Sequence, residues 1–329
     1  MIRIGGANVA DIRVGNSPIR EVRIGGELVW SRGVYVAGGL DGIFYSRDLV
    51  NWSESNIGDL CYFVTFVNGM FWACGKRFIA NSSDGINWTK VLSVPIAEFP
   101  QPIFHSLSFG TGKYVSVGQQ SNVDKADQGV IYISSDGLNW SRKKIATIDG
   151  EDCVINGVAF GNGVFVAGGS YGKIYYSTDA SSWSEANCGV YEIKDIAFGN
   201  GEFVAIGNFG NTFHSQNGQA WVNSKFDVEI NNNAVAFGNG RFVVGSESSY
   251  VRYSTDLVNW SKVKVTVGSS INNTVDCVEF LNGRFIARFY SSATGPRLCS
   301  SKDATHWTDI PGFDGTKMRS IAFGMPKQR

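Results

Sequence analysis

One phrase recurs seven times along the chain and limits its fold more than any other feature. It is Ser-x-Asp-x-x-x-Trp, at residues 46–52, 82–88, 134–140, 177–183, 215–221, 254–260 and 301–307, with Asn217 replacing the Asp once. Successive copies start 36 to 52 residues apart, the spacing of propeller blades. The phrase ends a longer unit whose clearest copies are residues 158–183, 196–221 and 235–260. Each unit opens on V-A-F, turns at Asn-Gly, returns as F-V-A-G and runs on as I-Y-Y-S into the phrase. Asn-Gly between apolar runs is the strongest short-range hairpin signal. Helical periodicity is absent. Each unit therefore reads as four short strands, a to d, and seven units make an all-β, seven-bladed β-propeller.

The two ends of the repeat region fit each other. Gly33-Val34-Tyr35-Val36-Ala37-Gly38-Gly39 repeats Gly163-Val164-Phe165-Val166-Ala167-Gly168-Gly169, a strand b, so the first blade lacks its strand a. Ser320-Ile321-Ala322-Phe323-Gly324 is a strand a with no strand b after it. The C-terminal strand is expected to complete blade 1 and remove the open edge. The propeller then spans residues 31–329, preceded by a separate β module at residues 1–30.

The Ser and Asp of the repeated phrase accept hydrogen bonds from the backbone of their own turn, and the Trp covers the space between adjacent blades. The phrase resembles the Asp-box of bacterial neuraminidase-repeat propellers, S-x-D-x-G-x-x-W, although its Ser-to-Trp spacing is one residue shorter. Leu49 and Leu257 follow the Asp in two copies, which implies that this position does not need a positive φ. An element present in every blade is scaffold, so its carboxylates are not read as catalytic. The resemblance also raises sialidase chemistry, which in that family rests on an Arg triad, a Tyr nucleophile with a Glu partner and an F/Y-R-I-P segment. The sequence has no R-I-P; Arg3-Ile4-Gly5 is the nearest match and lies outside the propeller. Other glycosidases need two carboxylates about 5 to 10 Å apart, and no such pair stands out at non-repeating positions. Glu151-Asp152 reads as a solvated loop. The chain is expected to be non-enzymatic, without catalytic residues, cofactor or metal.

Formal charge is +0, which gives a nucleic-acid or anionic-membrane partner no electrostatic support. No apolar run approaches the roughly 18 residues of a membrane span. The first residues lack an apolar h-region and a cleavage site, so no secretory signal is expected. Cys61, Cys74, Cys153, Cys188, Cys277 and Cys299 form no C-x-x-C pair and read as reduced, half-buried strand residues of a protein made in a reducing cytoplasm. His105, His214 and His306 are too scattered to suggest zinc.

In a four-stranded blade the a–b and c–d turns lie on one face, and the b–c and d–a loops on the other. The first face is uniform in sequence and the second varies, in the polar segment 119–128 (with Gln120 and Asn122), in 289–297 (with Tyr290 and Arg297) and in 92–102. Recognition sits where loops vary on a rigid scaffold. Counting four residues back from each strand-a Phe gives one residue per blade near the channel mouth on the variable face: Tyr62, His105, Asn156, Lys194, Asn233, Asp276 and Arg319. All seven can hydrogen-bond, as a small polar ligand such as a sugar requires. Tyr171 and Phe209 occupy equivalent b–c positions, from which they could stack on pyranose rings.

Residues 1–30 obey a different rule. Ile2-Arg3-Ile4-Gly5-Gly6, Ile12-Arg13-Val14-Gly15-Asn16 and Val22-Arg23-Ile24-Gly25-Gly26 recur every ten residues, and each decapeptide reads as a hairpin that returns through Val9, Ile19 or Val29. About thirty such residues bury too little to be stable alone, so the module needs copies of itself or another protein surface. Arg3, Arg13, Arg20 and Arg23 form either its solvated face or its contact with an acidic socket. Repeats of [IV]-x-[IV]-G-[GN]-x-x-[VI] ending in Leu28-Val29-Trp30 resemble the start of many tailed-bacteriophage tail and tail-fibre proteins, and Asp-box-like propellers also occur in phage adhesion proteins. The resemblance implies a virion tail component assembled in the host cytoplasm. Residues 1–30 would meet other tail or baseplate proteins, with homo-oligomerisation possible, and the propeller would recognise a bacterial surface glycan or protein. Multiple copies would supply avidity. The alternatives are a cellular propeller scaffold of the kind seen in photosystem assembly factors and a sialidase-like hydrolase.

Overall fold

A computed structural model describes residues 33–97, 101–121, 128–144, 153–189, 191–224, 226, 230–265, 274–290, 295–311 and 318–325, together with the backbone of short strands between residues 3 and 31. Seven four-stranded antiparallel sheets form the propeller, each in the order a-b-c-d. Blade 2 is representative: strand a is Cys61–Val67, b is Met70–Gly75, c is Phe78–Ser82 and d is Thr89–Ser93. Blade 1 joins the chain ends as the sequence implies. Its strand a is Met318–Gly324, and Gly324 pairs with Val34, the first residue of strand b. Strand b of blade 1 therefore starts, at Val34, from the a–b end of that blade. Before it, the described backbone makes three two-stranded hairpins, Arg3–Ile4 with Ala7–Asn8, Arg13–Val14 with Ser17–Pro18, and Glu21–Ile24 with Glu27–Ser31.

Local chemistry explains the turns. In blades 2, 4, 5, 6 and 7 the a–b turn is Asn-Gly with both residues at positive φ, as at Asn162 (48°) and Gly163 (77°), the two-residue turn whose twist matches the strands it joins. Blade 3 uses Thr111-Gly112 in the same conformation. At the c–d turn, Oδ1 of Asp48, Asp84, Asp136, Asp179, Asp256 and Asp303 each accepts two backbone N–H bonds, and Asn217 does the same. The turn is satisfied from within itself.

The residue after that Asp corrects the sequence expectation. It has positive φ in all seven copies: Leu49 67°, Gly85 75°, Gly137 74°, Ala180 59°, Gly218 74°, Leu257 63° and Ala304 62°. Leu is tolerated there because its side chain is taken up by the preceding blade. Leu49 is 5% exposed and packs with Ile286 and Leu298 of blade 7; Leu257 packs with Val204 and Ile206 of blade 5. Where the neighbour already fills the space, the residue is Gly. A Cβ on Gly137 would stand 2.6 Å from Trp72, and one on Gly218 2.6 Å from Val166. In six copies the Trp indole N–H then closes the turn on the carbonyl of this residue, at 2.8 to 3.3 Å. The Trp rings pack against the preceding blade, as Trp307 does against the blade 6 cluster that includes Val243 and Val251.

The Gly that ends most strand-a segments has a packing cause. A Cβ on Gly199 would lie 2.0 Å from Phe237 of the next blade, and one on Gly161 2.2 Å from Phe198. Each such Gly is the seat for the following blade's strand-a Phe. The cysteines form no disulfide; all are buried except the half-buried Cys188. No helix among the described residues is long and apolar enough to cross a membrane.

Candidate functional site

The seven residues found by counting back from the strand-a Phe share a backbone feature that counting does not reveal. Every strand a has a register shift against strand b, and the residue skipped by the pairing is Tyr62, His105, Asn156, Lys194, Asn233, Asp276 or Arg319 in turn. A β-bulge leaves one residue outside the ladder and re-aims its side chain. Repeated seven times, it turns one polar side chain per blade toward the axis. Six of them line a cavity of about 410 Å³ together with Asn208, Asn231 and Glu247. Asp276 joins the same ring one layer deeper, where Ser106, Cys277 and Ser320 narrow the passage.

Charges around this mouth are matched. Lys194 pairs with Glu192 at 2.6 Å, and Arg288 with Asp276 at 2.7 Å. The Arg319 guanidinium lies over the Tyr62 ring, 5.4 Å from its centre, and Tyr62 and His105 are ring neighbours at 5.4 Å. Asn156 donates to Glu192 and to the Ile193 carbonyl; Asn231 donates to Glu247 at 2.9 Å. Burial lowers the His105 pKa, with Arg319 adding to it against the opposing Gln119 hydrogen bond. Burial raises the Asp276 pKa, held back by Arg288. The result is a mouth rich in amides, with three cations (Lys194, Arg288, Arg319) and three carboxylates (Glu192, Glu247, Asp276).

Behind the ring the strand-a side chains line a channel of about 410 Å³ with walls mostly of Val, Ala, Ile and Phe. It contains a carboxylate pair that the sequence did not bring forward: Asp195 of blade 5 and Glu279 of blade 7. Asp195 accepts the Ile196 N–H at 2.8 Å and, across the blade boundary, the Val235 N–H at 2.9 Å. The Ser320 hydroxyl makes the same cross-blade bond to the Val64 N–H at 3.2 Å. Asp195 is thus an inter-blade staple. Burial raises its pKa to about 6, against its two backbone hydrogen bonds. Burial raises Glu279 to about 8, and the Asp195 charge adds to this. The available signal was that these positions hold Ala, Ser, Gly, Thr, Cys or Phe in the other blades.

The remaining expected residues are dispersed. Tyr171, Phe209 and Tyr290 lie on the variable face, 39%, 50% and 47% exposed. Gln120 belongs to strand b of blade 3 (Lys113–Ser121), is buried and is held by Arg142, so it is withdrawn from the face rather than carried on a loop. Arg297 opens strand c of blade 7 (Arg297–Ser301) and pairs with Asp309 at 2.6 Å. Asn122, Glu151 and Asp152 lie outside the described residues, as does Arg20; Arg3, Arg13 and Arg23 are described as backbone only. No group of three or more His, Cys, Asp or Glu among the described residues is placed to hold a metal.

Comparison with protein-family models and with curated proteins gives no match. Solved structures do match in shape. One described as YCF48 bound to D1 peptide has a TM-score of 0.56 and 15% identity, covering 76% of this chain and 81% of that one. YCF48 from Cyanidioschyzon merolae gives 0.53 and 14%, covering 76% and 84%. The WD40 β-propeller domain of Doa1 gives 0.51 and 12%, covering 79% and 85%. At these identities the likeness is one of fold: the chain is a seven-bladed β-propeller.

Proposed function

We propose that the chain is a non-enzymatic adhesion component of a bacteriophage tail, with residues 1–30 docking to the particle and the variable face of the propeller recognising a host surface glycan or protein. The observation that carries this reading is the division of the molecule into two ends. Seven bulged polar side chains meet at one mouth, while strand b of blade 1, which follows the decapeptides in sequence, starts from the opposite, a–b end. An anchor at one end and a reader at the other is the layout an adhesion protein needs. The decapeptide resemblance supports the tail assignment, the tail locates the protein in the virion, and the matched charges of the mouth favour recognition over anion-driven chemistry. Mass spectrometry of purified particles should find the chain. The purified protein should bind host cells, and deletion of residues 1–30 should abolish incorporation into particles without abolishing cell binding. Absence from particles together with no host binding defeats the reading.

One observation favours a second reading. A similar structure is YCF48 bound to a peptide, so the same mouth would hold a peptide in a cellular assembly scaffold. Co-purification of a stoichiometric cellular protein, with no particle association, would select it. For a hydrolase, the carboxylates sharing the channel lining are Asp195 and Glu279. Release of reducing sugar from host envelopes, lost in Glu279→Gln, is its test.

A further inference from the structure

One side of the mouth carries an aromatic residue in an unusual backbone state. Phe209 sits at φ 58°, ψ 35° in the b–c connection of blade 5, a left-handed conformation that is a genuine outlier for a bulky side chain. Such strain persists only where the surroundings over-determine it, and here they do. The Phe209 N–H reaches Asn231 Oδ1 at 3.4 Å, the Gly210 N–H donates to the Ile230 carbonyl at 2.6 Å, and the Phe226 N–H donates to the Gly210 carbonyl at 3.0 Å. Asn211 ties the turn back to the Asn208 carbonyl at 2.7 Å. The ring held this way is nonetheless 50% exposed, touched edge-on by Tyr191 at 5.8 Å. Blade 4 repeats the device: Tyr171, at φ 59°, ψ 26°, is 39% exposed.

The residues flanking Phe209 belong to the mouth. Asn208 precedes it, and Asn231, which receives its N–H, donates to Glu247 at 2.9 Å; all three line the 410 Å³ cavity with Asn233 and Lys194. A fixed, exposed aromatic face therefore adjoins a pocket of amides and carboxylates whose charges balance. Amides and carboxylates take up hydroxyl groups in both donor and acceptor roles, aromatic faces cover apolar C–H surfaces, and a balanced site offers no net attraction to an anion.

We propose that this side of the mouth seats a neutral pyranose, with Phe209 stacked on the sugar face and Asn208, Asn231, Asn233 and Glu247 bonding its hydroxyls. The proposal rests on the adhesion reading, since it names the ligand of the same site. Its test uses the full-length chain, immobilised and probed with neutral oligosaccharides, the same oligosaccharides ending in glucuronate or sialate, and a random peptide library. Neutral oligosaccharides should be retained in preference to acidic ones. Phe209→Ala should weaken retention at least tenfold with its far-ultraviolet spectrum unchanged, and Phe209→Tyr should retain it. Asn231→Ala should weaken it as well, through loss of both the Glu247 contact and the Phe209 anchor. Retention of acidic sugars only, of peptides only or of nothing overturns the proposal, as does undiminished retention by Phe209→Ala. Host binding that is protease-sensitive and sugar-independent sinks the pyranose while leaving the adhesion reading intact. Neutral-sugar retention by a chain that is missing from particles and binds no host cell does the reverse.

Discussion

Ala304→Gly should be close to neutral in stability, although it deletes a fully buried methyl group. Ala304 is 0% exposed within the blade 6–7 cluster and lies at φ 62°. Removing its methyl forfeits about 0.8 kcal/mol of burial, and a Gly adds about 0.4 to 1 kcal/mol of unfolded-state entropy to be lost on folding. Against these, Gly removes a left-handed penalty of roughly 1 to 2 kcal/mol, so the net change is expected within about 1 kcal/mol of zero. The control lies in the same cluster. Ala287, also 0% exposed, sits in strand b of blade 7 (Arg284–Tyr290) without positive φ. Ala287→Gly pays both costs and recovers nothing, an expected loss of about 1 to 2 kcal/mol. Urea unfolding at neutral pH reads the difference as a shift in midpoint at constant m. Equal losses in the two variants would refute the reasoning, because the left-handed conformation would then carry no penalty. Leu257→Gly completes the series: it relieves the same strain but empties a buried Leu site, so it should destabilise by about 2 kcal/mol or more.

Three further outcomes follow from the structure. Gly199→Ala places a Cβ 2.0 Å from Phe237 and should cost about 1 to 3 kcal/mol by overpacking, seen as a lower Tm. Glu279→Gln should stabilise the protein at pH 8 by about 1 to 3 kcal/mol and change little at pH 4; with its folded pKa raised to about 8, Glu279 contributes stability below its unfolded value that is lost as pH rises through 8, and equal Tm shifts at both pH values would contradict this. The turn carboxylates act in the opposite sense. At Asp84 burial pushes the pKa up, but hydrogen bonds from Asn87, Ile86 and Ser82 outweigh it and hold it at about 2, and the Ser182 and Ser181 amides hold Asp179 at about 2. Their stabilisation is therefore present above the unfolded value near 4 and lost as pH falls through 2. Hydrogen exchange between pH 5 and pH 2 should deprotect the Ser181 and Ser182 amides more than Gln219 and Ala220, whose acceptor Asn217 does not titrate.

The fold was legible because its signals are local and repeated. Asn-Gly turns, the Ser-x-Asp-x-x-x-Trp phrase and the complementary chain ends each report on a few neighbouring residues, and seven copies exclude coincidence. The ring at the mouth was legible for the same reason, since counting back from the strand-a Phe keeps register across blades. The bulge itself was not, because a register shift leaves the residue order unchanged. The left-handed conformation of Leu49 and Leu257 was misread because propensity argues from the residue's own sterics, and here a pocket in the preceding blade decides. Gln120 looked like loop because Gln, Ser and Asn dominate its surroundings, yet ladder pairing continues through it to Ser121. Asp195 and Glu279 were hidden by the repeat: positions holding small residues in most blades attract attention only once the fold puts both carboxylates in one channel lining.

The bulge and the left-handed turn are opposite uses of the same freedom. At the c–d turn a strained φ is bound up by the Asp carboxylate, the Trp indole and a buried side chain, all within one blade and its neighbour. The Ser, the Asp or Asn and the left-handed residue of each phrase are thus all engaged within the scaffold, and the face is uniform in sequence. At the other end of strand a, the bulge frees a side chain from the ladder and leaves its chemistry unconstrained, which is why the seven bulged residues include Tyr, His, Lys, Asp, Arg and two Asn while the turn phrase hardly varies. A left-handed residue appears on this face too, at Phe209 and Tyr171, but its side chain is half-exposed instead of buried in the preceding blade. Strain that ends in a buried Leu serves the scaffold. Strain that ends in a half-exposed aromatic ring beside a polar pocket leaves a ring face at the surface, and in the proposed reading that face is what the ligand meets.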